Sequence, residues 1–259
     1  MLKPFENGHA HAGMVFISVI TGAVMLFLFK LTSNQEAMKE VKNRISAYFL
    51  EMRLYKDDIS TVMASQRRIL RANMQYMKLA VVPALVMIVP VILIMIQLNL
   101  RYSHTGLEVG QSAIVKAKVA EGIDVLTHGI RLVPSEGIAK ASPAVRIPSL
   151  GEIDWKIKVT RPGIHKITID DGANQVVLPV FATTRNVPIY TSFRKPSLHE
   201  TIFNPGAPRL PGQSGFASIE ITYPEMSFDW RLFRLSWLWS FLFISMAFGF
   251  FLKFILKVE

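Results

Sequence analysis

Three long apolar blocks are the feature of this 259-residue sequence that most constrains its fold. They cover residues 13–31, 80–100 and 235–256, and each is close to the ~20 residues that a helix needs to cross a ~30 Å hydrocarbon core. A helix also satisfies its own backbone polar groups in lipid. The first block is long for a signal-peptide core and is followed by no small-x-small cleavage site. The sequence therefore predicts a membrane α-helical protein with three transmembrane helices.

The distribution of charge predicts how these spans are oriented. The chain carries a net charge of +10, and ten basic residues against five acidic ones fall in the first loop, from Lys30 to Lys78. Short loops rich in Lys and Arg stay in the cytoplasm. We therefore expect residues 32–79 and the tail 257–259 to be cytoplasmic, and the leader 1–12 and residues 101–234 to be extracytoplasmic, in a bacterial inner membrane. Because this placement accounts for the excess charge, the sequence does not indicate DNA binding.

The cytoplasmic loop has the pattern of a helical hairpin. Ser33 and Glu36 fit a capping box at the start of a helix, and residues 56–58 fit a turn with a second N-cap. Apolar residues recur at alternating steps of three and four, which is the spacing of a coiled-coil seam. We predict a short antiparallel coiled coil whose arms each reach ~30 Å from the membrane. The first stripe is Met38, Val41, Ile45, Tyr48, Met52 and Tyr55, and the weaker second stripe is Ile59, Met63, Gln66, Leu70 and Met77.

Beyond residue 100 the periodicity changes from helical to alternating. Residues 153–159 alternate strictly between apolar and polar, and residues 167–169 and 176–180 continue the pattern after two turns, so we expect three strands in hairpin succession. Shorter candidate strands cover 113–119, 129–133 and 144–147. Together they predict an extracytoplasmic immunoglobulin-like β-sandwich over 101–183, without a disulfide because the chain has no cysteine, and with Trp155 in its core.

The segment 184–234 is rich in proline and too irregular for a sandwich strand over most of its length. We expect a return segment with one late strand at 217–223. Aromatic residues cluster where this segment meets the third span, and aromatic rings favour the membrane interface.

Signatures of catalysis are missing from the sequence. It contains no phosphate-cradling glycine loop, no paired metal-ligand spacing and no nucleophile elbow. His9 and His11 fit a solvated terminus better than a metal site, and Asp170 and Asp171 lie where a hairpin needs turn residues. We therefore expect no enzyme activity, no catalytic residues, no metal and no cofactor.

Polar residues inside the spans are the candidates for an intramembrane groove. Serine and threonine also bond back to their own helix, and helix packing is the favoured explanation over a substrate path. Pro83 and Pro90 are expected to kink the second span. The candidate groove residues are Ser18, Thr21, Gln97, Asn99, Ser240 and Ser245.

A second candidate site is a cytoplasmic contact surface on the hairpin. Flexible methionine side chains suit surfaces that accept varied apolar partners, although they also fill seams, and we favour the packing role. The basic residues off the seam can contact acidic lipid headgroups or ribosomal RNA through charge alone. The candidate contact residues are Lys42, Arg44, Arg67, Arg68, Arg71, Met63, Met74 and Met77.

The order of these parts resembles the YidC/Oxa/Alb insertase superfamily, in particular its compact three-span members such as the insertase subunit of the ER membrane complex and the archaeal members. The resemblance is architectural and covers about residues 15–100 and the third span. Residues 16–21 lie in the first span, which ends near Lys30. The basic hairpin ends at Lys78, shortly before Pro83 in the second span. It implies insertion of small membrane proteins through a groove open to cytoplasm and lipid, with the hairpin receiving the nascent chain from the ribosome.

Three functions therefore follow from the sequence. The first is an insertase-like protein that assists the insertion or assembly of membrane proteins. The second is a non-catalytic anchor or scaffold subunit of an envelope complex, in which the sandwich binds an extracytoplasmic partner protein. The third is an ion channel formed by oligomerisation, which requires pore-lining polar residues that are scarce here.

Overall fold

The computed structural model describes residues 10–120, 122–172, 174–231 and 233–256, so most of the predicted leader and the tail 257–259 lie outside the described residues. Three helices are long and apolar enough to cross a membrane, which confirms the three predicted apolar helices. The chain forms two compact units, which we name the β unit (Met1–Gly13 and Ile96–Trp237) and the helical unit (Met14–Met95 and Leu238–Glu259). The helices are α1 Ala10–Thr32, α2 Gln35–Leu54, α3 Ile59–Tyr102, α4 Leu198–Phe203 and α5 Trp237–Leu256.

Helix α3 joins the second hairpin arm and the second apolar block in one element. It has 44 residues, which at 1.5 Å per residue gives a length of about 66 Å. Pro83 and Pro90 lie inside it, and the helix continues past both. Pro83 is buried, and as a proline it cannot donate the backbone hydrogen bond of its turn.

The caps of the hairpin differ in one place from the prediction. The prediction of a capping box at Ser33 and Glu36 is wrong. The Ser33 amide still donates to the Phe29 carbonyl at 2.9 Å, so it belongs to the last turn of α1. Asn34 is the N-cap of α2, and its side chain accepts a 3.0 Å hydrogen bond from the Ala37 amide. The predicted turn at 56–58 is confirmed, since Asp58 accepts from the Ser60 amide at 3.0 Å.

The predicted seam is right for α2 and wrong for α3. Met38 and Val41 are buried and the rest of the first stripe is half-buried, except that Tyr55 is exposed. All five residues of the second predicted stripe are exposed. Another face of α3 is less exposed, with Ser65 and Ala72 buried and three larger residues half-buried. This observed seam of α3 consists of Val62, Ser65, Ile69, Ala72 and Tyr76.

The β unit is built from antiparallel strands. One sheet has the order β3-β5-β1-β9-β8, with β4 also paired to β5, and a second sheet has the order β2-β6-β7. A short β10–β11 hairpin lies just before α5. The strands are β1 Ser112–Val119, β2 Arg131–Pro134, β3 Ile138–Lys140, β4 Val145–Ile147, β5 Glu152–Val159, β6 Gly163–Asp170, β7 Gln175–Ala182, β8 Ser192–Arg194, β9 Phe216–Ile221, β10 Ser227–Asp229 and β11 Arg234–Ser236.

One apolar core is shared by the two larger sheets. Strand β5 contributes every second side chain to it, including Trp155, as the alternation predicts. Strand β7 contributes Val176, Leu178 and Val180 from the other sheet. The prediction of three strands in hairpin succession is wrong at its first step, because β5 and β6 lie in different sheets. The turn at 161–163 carries the chain from one sheet to the other, and only β6 and β7 form a hairpin.

The proline-rich segment contributes more to the fold than the sequence indicates. It supplies β8, which pairs with β9, and the short helix α4. Phe193 in β8 is completely buried, and Leu210 is buried in the same core. The irregular composition hides this strand because it is only three residues long and is flanked by prolines.

Candidate functional site

A largely apolar cavity of about 480 Å³ lies among α1, α3 and α5 of the helical unit. Thr21 and Met25 of α1, Met87 of α3, and Ser245 and Phe250 of α5 are among the residues that line it. Lys253, in the last turn of α5, also lines the cavity. The cavity therefore offers a surface for an apolar chain, with few polar groups.

The structure brings together two of the six predicted groove residues, Thr21 and Ser245. Ser18 and Ser240 are buried but are not among the lining residues. The Ser18 hydroxyl donates to the Met14 carbonyl at 2.8 Å, so it bonds back to its own helix. Gln97 and Asn99 are exposed and belong to the β unit. The six residues thus do not form one polar groove.

A close crossing of α1 and α5 borders this cavity. A Cβ atom added at Gly22 would lie 2.6 Å from the backbone oxygen of Ser245 and 3.4 Å from the amide nitrogen of Gly249. Ser18 and Gly22 are four residues apart, and so are Ser245 and Gly249, which is the small-xxx-small spacing of tightly packed membrane helices. The sequence analysis missed this crossing, although that spacing was the signal for it.

An exposed apolar stripe runs along α3 on the side opposite its buried seam. Its members recur at steps of three, four or seven residues, which places them on one face of the helix. Each is about half exposed or more, and Ile59 is 78% exposed. Over the 22 steps from the first to the last of these residues the helix rises about 33 Å. We name this surface the outer stripe, and it consists of Ile59, Met63, Leu70, Met74, Met77 and Val81.

The methionines of the hairpin divide into two groups. Met38 is buried and Met52 half-buried on α2, where they fill the seam as a packing role requires. The contact residues Met63, Met74 and Met77 are exposed on the outer stripe, so they pack nothing within the helical unit's seam. The favoured packing role therefore holds for α2 and fails for these three residues of α3.

The five predicted basic contact residues are all exposed, and Arg44 and Arg68 form ion pairs within the hairpin. Arg44 pairs with Glu40 on its own helix at 2.8 Å. Arg68 donates from Nη1 to both carboxylate oxygens of Glu51, at 3.1 and 3.0 Å, and its guanidinium lies 5.8 Å from the centre of the Tyr48 ring. Arg67 and Arg71 lie beside the outer stripe on α3, and Lys42 is exposed on α2.

Glu51 links the two hairpin arms through polar contacts. In addition to Arg68, its carboxylate accepts a 2.9 Å hydrogen bond from the Ser65 hydroxyl, which is buried in the seam. At the turn between the arms, the Thr61 hydroxyl and nearby amides hold the pKa of Asp58 below its usual value, so this cap is ionised at neutral pH. The two arms of the hairpin are thus joined by these polar contacts and by the seam. The outer stripe does not take part in joining them.

Within the described parts of the chain, no cluster of three or more His, Asp or Glu side chains could hold a metal ion. His9 of the predicted solvated pair lies outside the described residues. The His11 ring instead packs edge-on against the rings of Phe228 and Trp230, at centroid distances of 5.1 and 5.3 Å.

Comparisons with known proteins give no match to this chain, whether with protein-family models, with curated proteins or with solved structures.

Proposed function

We propose that the chain is an integral membrane protein with the hairpin in the cytoplasm and the β unit on the other side of a bacterial inner membrane. Three apolar helices of sufficient length and the excess of basic residues in the first loop support this arrangement. The finer assignment of the β unit as an immunoglobulin-like sandwich rests on two antiparallel sheets that share one core with Trp155.

Within that arrangement, we propose that the protein assists the insertion of small membrane proteins, as the resemblance to the YidC/Oxa/Alb superfamily implies. The observation that carries this proposal is the outer stripe. An apolar face on a soluble hairpin would ordinarily be buried, and exposed apolar patches mark surfaces that bind other molecules. Here the face continues along one helix toward its membrane-spanning half, so it offers a continuous apolar path to the bilayer.

The side chains of the outer stripe suit substrates whose apolar segments differ in sequence. Three of its six members are methionines, whose flexible and polarisable side chains adapt to different partners. Arg67 and Arg71 beside the stripe attract acidic headgroups or the phosphates of a ribosome, which would hold the hairpin near the source of the nascent chain. The cavity lined by Thr21 and Ser245 is then the apolar surface that the segment meets within the membrane.

Site-specific photo-crosslinking tests this proposal. A crosslinker placed at Met63 or Met74 should capture the apolar segment of a ribosome-bound membrane protein, because both side chains lie on the outer stripe. The matched control is Gln75, which is exposed on the same helix about 100° around its axis from Met74. We expect adducts at Met63 and Met74 and few at Gln75. Equal yields at all three positions, or none at any, would contradict the proposal.

A second function, the anchor or scaffold subunit, is favoured by one observation. The intramembrane cavity is lined almost entirely by apolar side chains, whereas a path for polar substrate segments needs polar groups. In this proposal the β unit binds an envelope protein and the spans hold it in the membrane. Gentle detergent extraction with affinity purification of the β-unit-tagged chain tests it, and we expect a stable complex with a defined partner. A chain that elutes only as a monomer would count against this function.

A further inference from the structure

A cavity of about 480 Å³ in the β unit, whose lining includes charged and polar residues, is separate from the surfaces described above. Its volume lies within the ~300–1,000 Å³ that is usual for ligand sites. His11, His104, Glu108, Arg185 and Asn186 are among its lining residues. The cavity combines one cationic and one anionic side chain with two carboxamides, two imidazoles and three threonines.

The cavity lies beside the points where the chain joins its apolar helices. His11 is the second residue of α1, and His104 follows the end of α3 by two residues. Met226, which also lines the cavity, directly precedes β10, and β10 and β11 lead into α5. If the three helices span a membrane as proposed, these positions correspond to the level of the lipid headgroups.

One buried polar side chain at this cavity, Asn186, has hydrogen-bonding groups that the described residues satisfy only in part. Asn186 is only 8% exposed, and its carboxamide lies against the Tyr102 hydroxyl without a hydrogen bond of good geometry. Tyr102 is completely buried and does not line the cavity. Arg101 donates to the backbone carbonyl of Asn186 at 3.3 Å, so the loop is fixed while its carboxamide stays available. Buried polar groups without partners are unfavourable, and a bound ligand is one way in which proteins satisfy them.

The charges around the cavity limit the chemical class of ligand that can bind there. A simple anion would meet Glu108, and a simple cation would meet Arg185. A zwitterion can pair with both, with its phosphate toward Arg185 and the Asn186 amide and its ammonium toward Glu108. A metal ion is disfavoured, since the described residues provide no cluster of three His, Asp or Glu ligands.

From these observations we infer that the cavity binds a zwitterionic phosphate–ammonium group, the chemistry of phosphoethanolamine. This inference rests on the proposed membrane embedding and not on the insertase activity. The group has two sources, the headgroup of phosphatidylethanolamine and free phosphoethanolamine. A phosphatidylcholine headgroup carries the same charges but no N–H donor for Glu108, and a phosphatidylglycerol headgroup carries no cation.

The test uses the full-length protein in nanodiscs and in lipid-depleted detergent. Native mass spectrometry would measure retained lipid after exposure to equal amounts of phosphatidylethanolamine, phosphatidylcholine or phosphatidylglycerol, and thermal melting would measure the shift that soluble phosphoethanolamine produces. We expect selective retention of phosphatidylethanolamine.

Arg185→Ala should weaken this retention by about tenfold or more, because the free energy of a charge-assisted hydrogen bond is larger than that of a tenfold change in affinity. The matched control is Arg161→Ala, which removes an exposed arginine of the same unit that pairs only loosely with Glu136, at 3.8 Å.

A second variant keeps the inference testable if Arg185→Ala misfolds. Asn186→Leu replaces the buried carboxamide with an apolar group of similar size, so it should raise the melting temperature of lipid-depleted protein and abolish selective retention. A melting shift with phosphoethanolamine but no preference among the lipids would assign the site to the free compound. Equal retention of all three lipids, unchanged in both variants and with no shift by phosphoethanolamine, would overturn the inference. Because none of these measurements involves the hairpin, their outcome is independent of the crosslinking test.

Discussion

The two units of this protein use their apolar residues in opposite ways. In the β unit the alternating side chains of two sheets meet in one core, and even the proline-rich segment contributes Phe193 to it. In the hairpin of the helical unit, small residues such as Ser65 and Ala72 fill the seam of α3, while larger ones such as Leu70 and Met74 are exposed. Apolar surface therefore stabilises the β unit, whereas on the hairpin it remains available for binding.

The largest effect expected from this comparison is on the core of the β unit. Phe193→Ala should reduce its free energy of unfolding by about 3–5 kcal/mol, because a completely buried aromatic side chain leaves a cavity. Leu70→Gln on the outer stripe should change stability by about 0.5 kcal/mol or less, since the side chain is exposed. Thermal melting of the full chain in detergent compares the two. Similar losses in both variants would mean that the outer stripe is structural.

The crossing of α1 and α5 offers a sharper contrast within the helical unit, because two glycines there have different surroundings. Gly22→Ala should destabilise the unit by about 1–3 kcal/mol, since its Cβ would lie 2.6 Å from a backbone oxygen that cannot easily move. Gly249→Ala is the matched control, because its Cβ would meet its nearest neighbour at an ordinary 3.9 Å. Its effect should be about 0.5 kcal/mol or less. Melting in detergent measures both, and equal effects would exclude a tight contact at Gly22.

The polar link between the hairpin arms should give a smaller change. Glu51→Ala removes its hydrogen bonds to Ser65 and Arg68, and we expect a loss of about 1 kcal/mol in the local stability of the hairpin. Glu40→Ala removes an exposed pair within one helix and should lose only about 0.3 kcal/mol. Hydrogen exchange of hairpin amides in the full chain reports both values. Unchanged protection in Glu51→Ala would show that the seam alone holds the arms.

The smallest expected effect concerns His104, a half-buried histidine of the β unit. Burial lowers the pKa of His104 below its usual 6.5, against the opposing influence of Glu225. The unfolded chain therefore binds a proton more readily than the folded one, and stability should fall as the pH drops below about 6.5. His104→Gln should reduce the slope of melting temperature against pH between 7.5 and 5. A slope identical to wild type would assign the pH dependence to other groups.

The sequence was sufficient to predict those elements whose residue pattern allows only one interpretation. Strict alternation identified β5 and β7, and Trp155 was correctly placed in the core. The sequence was insufficient where residues on two different faces of one helix repeat at the same spacing. On α3 two faces recur at steps of three and four, and hydrophobicity favoured the outer stripe, although Ser65 and Ala72 on the other face are the buried residues.

Tertiary contacts account for the remaining differences. Residue spacing cannot show that Ser33 still bonds to Phe29, which moves the cap to Asn34. Likewise, Asn186 is an ordinary loop residue in the sequence, and only the fold shows that its side chain is buried against Tyr102. The spacing of Ser18 and Gly22 and that of Ser245 and Gly249 were visible, but only the structure shows that these pairs belong to one crossing.

The most direct test of the central proposal is an insertion assay with the purified protein in liposomes. A small single-span membrane protein would be synthesised in the presence of these vesicles, and the fraction protected from added protease would be measured. We predict a higher protected fraction than in empty vesicles, and a return toward the empty-vesicle level when Met63, Leu70 and Met74 are all replaced by glutamine, with an unchanged melting temperature. Equal protection with the wild type, the triple variant and empty vesicles would contradict an insertase role for the outer stripe.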